Sequence, residues 1–209
     1  TAVINPNART RQQFARALDK AQKRRERLAQ VSRRARAVTL DGNEVAVMAN
    51  VRSREDVELA MHCGADGIGL FRTEPFFLST KHFPSDGEFA EFLLDTLHPA
   101  QGKYVNVRLL DIGADKNPLY LHLPPEPDPF LGRRGVRVLL EYPDLLEAQL
   151  RAVLKVSQYF PIGVLIPMVT LESDVVQIAR RLHQLAEEMD TQTLPRLGAM
   201  LETPAAALS

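Results

Sequence analysis

Short apolar runs that alternate with helical stretches limit most strongly what this chain can fold into. Helical stretches are expected at about 53–63, 86–97, 143–158 and 172–190. The apolar runs cover residues 45–49, 67–71, 104–110, 164–168 and 197–201. Near-continuous apolar strands separated by helices indicate a parallel sheet that is covered on both faces. The predicted fold class is therefore α/β, with five strands.

Residues 9–36 form a segment of a different kind. Ala, Arg, Gln, Lys, Leu and Glu dominate it, and the absence of Gly and Pro predicts a helix. It holds eleven basic and two acidic residues, a net charge of +9, in a chain whose total charge is zero. Phe14, Leu18 and Leu28 lie roughly on one stripe. We interpret the segment as a solvated helical face, and a nucleic-acid-binding arm is the alternative.

The composition excludes several classes of protein. Cys63 is the single cysteine, which excludes an internal disulfide and most cysteine-based metal sites. No apolar stretch approaches the ~18 residues of a membrane helix, and the first residues do not resemble a signal peptide. We therefore expect a cytoplasmic protein with no membrane association. The five histidines have no partners at metal-ligand spacing and are interpreted as surface or structural residues.

Charged residues follow several of the predicted strands. Arg72-Thr73-Glu74 follows the second run, and the third run contains Arg108 and is followed by residues 111–116. Glu202 follows the fifth run. Because ligands of parallel α/β folds bind at the carboxyl ends of the strands, these side chains predict a shared pocket.

The residue types in this predicted pocket suit a phosphorylated anion. Arg72 and Arg108 offer planar, permanently charged forks for phosphate or carboxylate oxygens, and Arg134 has the same chemistry but follows no predicted strand. Lys116 adds a point charge, and Glu202 is a hard oxygen donor of the kind that Mg²⁺ prefers. Several cations with one metal ligand fit phosphoryl transfer, in which catalysis is mostly positioning and charge neutralisation.

Each of these residues also has a purely structural interpretation. A charged side chain at a strand end can form a surface ion pair, a turn or a helix cap. The alternatives are an ion pair with a neighbouring carboxylate for Arg72, turn formation around Gly113 for Asp111 and Asp115, a cap of a helix starting at Pro204 for Glu202, and solvation for Arg133 and Arg134.

A series of ordered segments carries a resemblance to a known family. They are VINPN (3–7), TLDGNEVAVMANV (39–51), GADGIGLFRTEPFFL (64–78), VRLLDIGADK (107–116), PDPFLGRRGVR (127–137), IPMV (166–169) and GAMLETPAAA (198–207). Over essentially its whole length the chain resembles Enzyme I, the phosphoenolpyruvate (PEP)–protein phosphotransferase family of the bacterial sugar phosphotransferase system. Pyruvate phosphate dikinase and PEP synthase share the same barrel, but DGNEVAVMANV and the short helical linker favour Enzyme I.

The resemblance implies a domain organisation and a reaction. Residues 1–37 are similar to the end of a swivelling phosphohistidine domain and its linker helix. Residues 38–209 are similar to the N-terminal part, about five strands, of a PEP-binding (β/α)8 TIM barrel. The family moves a phosphoryl group from PEP to an enzyme histidine and then to an HPr-type phosphocarrier protein. It depends on Mg²⁺ and works as a homodimer, with no nucleic acid or membrane as partner.

The resemblance also assigns roles to single residues. The arginines that bind the PEP phosphate match Arg72 and Arg108, a further pocket arginine matches Arg134, and a pocket lysine matches Lys116. The Mg²⁺-binding glutamate matches Glu202.

Other functional groups of the family are absent from these 209 residues. They are an Asn-Asp pair that holds substrate and metal, a general-acid cysteine, and the phosphoacceptor histidine. No catalytic residue is therefore assigned, and we expect a part of a longer enzyme that is inactive alone. A part that serves only dimerisation is a further alternative. Pro75 and Ala114 depart from the family pattern, and Cys63 does not match the catalytic cysteine.

Overall fold

The structure, a computed structural model, describes residues 3–32, 36–128 and 130–208, without the side chains of 29–32. The chain begins with helix α1 (Ala8–Ser32), followed by an antiparallel hairpin of β1 (Ala37–Val38) and β2 (Glu44–Val45). The turn of this hairpin contains Gly42 at φ +90°, a conformation that favours glycine. The prediction of a strand over 45–49 is wrong at its start, because Val45 belongs to this hairpin.

Five parallel strands form the main sheet. In chain order the elements are β3 (Met48–Val51), α2 (Arg54–His62), β4 (Gly67–Arg72), α3 (Glu74–Ser79), α4 (Asp86–Leu97), β5 (Val105–Arg108), α5 (Val136–Glu141), α6 (Pro143–Val156), β6 (Ile162–Ile166), α7 (Glu172–Glu188), β7 (Arg196–Ala199) and α8 (Pro204–Leu208). The spatial order β3-β4-β5-β6-β7 is the chain order, and every pair is parallel. The predicted α/β class is confirmed.

The strand order also determines where the helices lie. Since crossovers between parallel strands are right-handed, a sheet whose order never reverses places all its crossover helices on one face. In agreement, α2 contacts α4, α4 contacts α6, and α6 contacts α7 in a single row. The sequence pattern predicted a sheet covered on both faces, and the crossover helices of the described chain cover one of them. One helical layer around a steadily progressing sheet is consistent with part of a (β/α)8 barrel.

The strand register separates a buried face from an open one. Val51, Phe71, Val107 and Val164 form one row across the sheet, and all are 3% exposed or less. The next row contains Arg72 and Arg108 together with Leu165 and Gly198, and its residues are partly or fully exposed. Because side chains alternate between faces along a strand, the arginines lie on the face that the helices leave uncovered.

A cluster of phenylalanines fixes the short helix α3 against this framework. Phe77 of α3 is fully buried, 4.9 Å from the ring of Phe89 on α4, and Phe76 stacks on Phe92 at 4.6 Å between centroids. Aromatic pairs at such distances stabilise beyond their buried area. The cluster thereby fixes the start of α3, where Glu74 lies.

Helix α1 is mostly solvated, as the sequence predicted. Arg9, Arg16, Lys20, Lys23 and Arg27 lie within about 60° of its circumference at about 100° per residue. Phe14, on the other side, is 71% exposed and is not part of the core formed by the described residues. Proteins that bind single-stranded nucleic acid combine basic residues with aromatic side chains on which the bases stack. Helix α1 has basic residues on one face, but Phe14 does not lie among them. None of the described helices has the length and hydropathy needed to cross a membrane.

Candidate functional site

The Arg72-Thr73-Glu74 stretch is a junction between a strand and a helix. Arg72 ends β4, Thr73 is the N-cap residue of α3, and Glu74 begins that helix with Pro75 next to it. The buried Thr73 hydroxyl donates to the carbonyl oxygen of Arg108 at 3.1 Å, which ties the ends of β4 and β5 together. The strand therefore ends in charged residues because the chain turns into a helix at the open edge of the sheet.

Arg72 and Arg108 are direct neighbours across two strands. They are register partners in the β4–β5 pairing, so their side chains project from the same face. This register agrees with the predicted placement of both arginines at neighbouring strand ends. The Arg72 side chain is exposed, and the described residues give it no ion pair. Its structural alternative, an ion pair with a neighbouring carboxylate, is therefore wrong.

Arg108 is held by carboxylates and is largely buried. Its side chain is 12% exposed, its Nη2 donates to Glu74 Oε1 at 2.9 Å, and its Nη1 lies 3.5 Å from Asp111 Oδ2. Its Nε is buried without a hydrogen-bond partner in the described chain. A buried unpaired donor costs free energy, so this guanidinium has hydrogen-bonding capacity that the described residues do not use.

Arg134 belongs to the same network. Its side chain is 13% exposed, Nη1 donates to Asp115 Oδ1 at 3.1 Å, and Nη2 donates to Asp111 Oδ2 at 3.3 Å. Its Nε lies 2.9 Å from Asp111 Oδ1 without hydrogen-bond alignment, and its guanidinium lies 4.5 Å from the centroid of Phe130, within cation–π range. The interpretation of Arg134 as a solvated residue is wrong.

Asp111 and Asp115 flank a turn and also bind an arginine. The N–H of Lys116 donates to the carbonyl oxygen of Gly113 at 3.0 Å, as the turn interpretation expected. Both carboxylates nevertheless contact Arg134. The side chain of Lys116 is exposed and outside the ion pairs of the described residues, so the structure does not bring it into this network.

Glu202 lies beyond β7 at the same edge of the sheet. Its Oε1 accepts the N–H of Met168 at 2.7 Å. The cap of α8 is Thr203 instead, whose hydroxyl oxygen accepts the N–H of Ala206 at 3.2 Å, so the capping alternative for Glu202 is wrong. A cavity of about 600 Å³ is lined by Glu202, Arg134 and Asp111 among others.

The donor set at Glu202 fits Mg²⁺ only as a partial site. Mg²⁺ in phosphoryl-transfer enzymes is bound through one or two carboxylates, with substrate phosphates and water completing the shell. Among the residues that the structure describes, no three His, Cys, Asp or Glu side chains are grouped to hold a metal. A single carboxylate beside buried arginines agrees with an ion held mostly by the substrate.

Sequence reasoning missed the residues that hold the arginines in place. Glu74 and Asp111 were among the charged residues that follow predicted strands, but neither was assigned a role in the site. Gln149 of α6 is fully buried, and its Oε1 accepts the N–H of Leu110 at 2.8 Å. The positions of Glu74 and Asp111 after predicted strands could have pointed to a role in the site. For Gln149 the one available sign was a polar residue on an apolar helix face.

Gly135 allows the chain beside Arg134 to approach β6 closely. It has φ +55° and ψ −124°, and its N–H donates to the carbonyl oxygen of Ile112 at 3.1 Å. A Cβ at this position would lie 2.9 Å from Met168 Cβ and 3.2 Å from the Pro167 carbonyl oxygen. Both the backbone conformation and the space therefore require glycine.

We expect Gly135→Ala to lower the free energy of unfolding by about 2–4 kcal/mol, from backbone strain and overpacking together. Gly102→Ala is the matched control, because Gly102 has φ +79° and nothing within 4 Å of its added Cβ. The control should lose only the conformational part, about 1–2 kcal/mol. Urea unfolding followed by circular dichroism measures both. Equal losses would contradict the close-approach argument.

The sequence of this chain is similar to a family of known enzymes. The profile of the family described as PEP-utilising enzyme, PEP-binding domain, matches residues 25–209. A PEP-protein phosphotransferase of Mycoplasma genitalium is 38% identical over 171 residues, 82% of this chain and 30% of that protein. A multiphosphoryl transfer protein of Xanthomonas campestris is 40% identical over 172 residues, 82% of this chain and 20% of that protein.

A third relative is a PEP-protein phosphotransferase of Haloferax volcanii, 40% identical over 177 residues, 81% of this chain and 31% of that protein. The chain thus spans less than a third of the length of each of these relatives.

Proposed function

Because this chain belongs to the family of PEP-utilising enzymes, within their PEP-binding domain, we propose that it is the PEP-binding part of a PEP–protein phosphotransferase. The whole enzyme moves a phosphoryl group from PEP to its own histidine and then to an HPr-type carrier. The names of the relatives support this choice of reaction.

One observation carries the proposal, namely the pairing of Arg72 with Arg108 at the open edge of the sheet. PEP carries a phosphate and a carboxylate, so its site must neutralise several negative charges. Two guanidinium forks side by side can bind oxygens of a single phosphate, and Arg108 has a buried donor without a partner. Arg134 and Lys116 are assigned to the same site by the family resemblance, in a reaction that depends on positioning and charge neutralisation.

Glu202 is the residue proposed to hold Mg²⁺. The ion, when bound, neutralises charge on the phosphate oxygens. The protein's own contribution is to place a carboxylate at the same sheet edge as the arginines and to hold it through the N–H of Met168.

The proposal extends to the rest of the enzyme. Residues 1–37 would be the end of a swivelling histidine domain with its linker helix, and residues 38–209 the first five strands or so of a (β/α)8 barrel. The partners would be PEP, an HPr-type carrier and a second copy of the enzyme, in the cytoplasm. These assignments rest on the family resemblance.

We expect Arg72→Ala to weaken PEP binding about 10- to 100-fold, the range of one to two charge-assisted hydrogen bonds. The free energy of unfolding should stay within about 0.5 kcal/mol, because the side chain is exposed and has no partner in the described chain. Titration calorimetry with PEP and Mg²⁺ measures the affinity.

The matched control is Arg180→Ala, because Arg180 is an exposed arginine of α7, away from the site. It removes the same charge and should leave the affinity unchanged. An equal loss of affinity in both variants would mean that Arg72 acts only through net charge, which would contradict a phosphate contact.

A further inference from the structure

Four charged side chains form one largely buried network at the open edge of the sheet. Glu74 is 17% exposed, Arg108 12%, Asp111 9% and Arg134 13%. Two arginines and two carboxylates make up its buried part, and the more exposed Asp115 contacts Arg134 at its rim. The network connects the start of α3, the end of β5 and the loop before α5, which are three separate parts of the chain.

Glu74 makes two contacts with one oxygen. Its Oε1 accepts from Arg108 Nη2 at 2.9 Å and from the N–H of Asp111 at 3.1 Å. The carboxylate thus fixes both the guanidinium and the backbone that carries the next carboxylate. Asp111 in turn contacts both Arg108 and Arg134, so its position decides where two guanidinium groups point.

Arg108 has more donors than Glu74 uses. A guanidinium carries five N–H donors, of which Glu74 accepts from Nη2 alone, while Nε is buried and unpaired. Because the side chain is 12% exposed, an anion can meet its remaining Nη donors without displacing Glu74. If Glu74 were a counter-ion that competes with the ligand, it would instead occupy the donors that the ligand needs.

We propose that Glu74 and Asp111 are positioning residues, which hold Arg108 and Arg134 in the orientation that a phosphate-bearing anion requires. This inference rests on the proposed function of the site. Arginine side chains have large rotamer freedom, and a side chain ordered before binding does not lose that freedom when the ligand arrives. Arg72 has no carboxylate partner among the described residues, so its side chain can adjust its orientation to the ligand.

The sign of a change in affinity separates positioning from competition. Removal of a competing counter-ion strengthens anion binding, whereas removal of a positioning group weakens it. We expect Glu74→Gln, which keeps the shape and one oxygen acceptor but loses the charge, to weaken binding of PEP and of inorganic phosphate at least about 10-fold. Asp111→Asn should weaken it about 10- to 100-fold, because it releases two arginines.

Glu147→Gln is the control for net charge. Glu147 lies on α6 and forms an ion pair with Arg181 at 2.7 Å, outside the network. It undergoes the same chemical change as Glu74 and should leave both affinities within about twofold of the wild type. Affinities that stay equal or become tighter in Glu74→Gln and Asp111→Asn would overturn the inference.

A second readout needs no ligand, and its first part uses only the wild-type chain. Nuclear magnetic resonance of the arginine side chains reports rotation about the Nε–Cζ bond. In the wild-type chain the Arg108 guanidinium should rotate slowly and the Arg72 guanidinium fast, and Glu74→Gln should release Arg108. A wild-type chain that binds neither PEP nor phosphate contradicts the proposed function. A freely rotating wild-type Arg108 overturns the positioning role, whatever the binding result.

Discussion

Replacement of Arg108 by alanine is expected to reduce the affinity of this chain for PEP by at least about 100-fold and to destabilise the fold. The affinity falls because a buried guanidinium with an unused donor is lost from the proposed site. Stability falls because Glu74 and Asp111 lose their shared cation while they remain largely buried. Removal of one partner from a buried ion pair costs about 3–5 kcal/mol, and partial exposure places this case near the lower value.

Two further variants test the origin of these losses. Arg108→Lys keeps the charge but not the planar fork, so it should retain more stability than affinity. Arg181→Ala removes an arginine that pairs with Glu147 and Glu188 on the helical surface and should cost about 1 kcal/mol or less with no change in PEP binding. Calorimetric titration and urea unfolding measure both quantities. An Arg108→Ala chain of wild-type stability would contradict the role of the network.

The second large effect concerns activity. These 209 residues alone are expected to transfer no phosphoryl group to a carrier when incubated with PEP, Mg²⁺ and a separately made histidine domain. The five strands leave β3 and β7 as open edges, whereas a (β/α)8 barrel closes with eight strands. Glu202 is the one metal ligand that the family resemblance assigns here. When groups that act together in catalysis are missing, most of the rate enhancement is lost and not merely a fraction of it.

The measurement is the appearance of labelled phosphoryl on the carrier protein, with a full-length PEP–protein phosphotransferase as the positive control. The same preparation should be used in the PEP titrations, so that a folded, ligand-binding chain is known to be present. Transfer above the blank would contradict the expectation and would mean that this part of the enzyme contains a sufficient catalytic set.

The expected results for Arg72 and Arg108 differ in a way that follows from their surroundings. Both lie in one row of the sheet, yet Arg72 is exposed and without a described partner, whereas Arg108 is bound by Glu74 and Asp111. Loss of Arg72 should therefore affect binding alone, and loss of Arg108 should affect binding and stability together. Equal losses of PEP affinity and of stability in Arg72→Ala and Arg108→Ala would contradict this expectation.

The sequence by itself determined the α/β class and the placement of charged residues after the strands. Alternation of apolar runs with helical stretches is a local pattern, as is the change from strand to helix at Arg72-Thr73-Glu74. Helix α4 was predicted with its observed bounds, 86–97, because the signals that begin and end a helix are close in sequence. The ordered motifs also pointed to the family.

Only the tertiary structure decided which charged groups meet. Three hydrogen bonds of the site join residues that are far apart in the sequence. Arg108 donates to Glu74 across 34 residues, Arg134 to Asp111 across 23, and the N–H of Leu110 to Gln149 across 39. These pairs depend on strand register and on the path of the loops, which the packing of the whole chain sets. For the same reason the pattern of apolar runs did not show which face of the sheet the helices cover, whereas the order of the strands places them on one face. A residue's type and position along the chain show what chemistry it can do, and its partners follow from the fold.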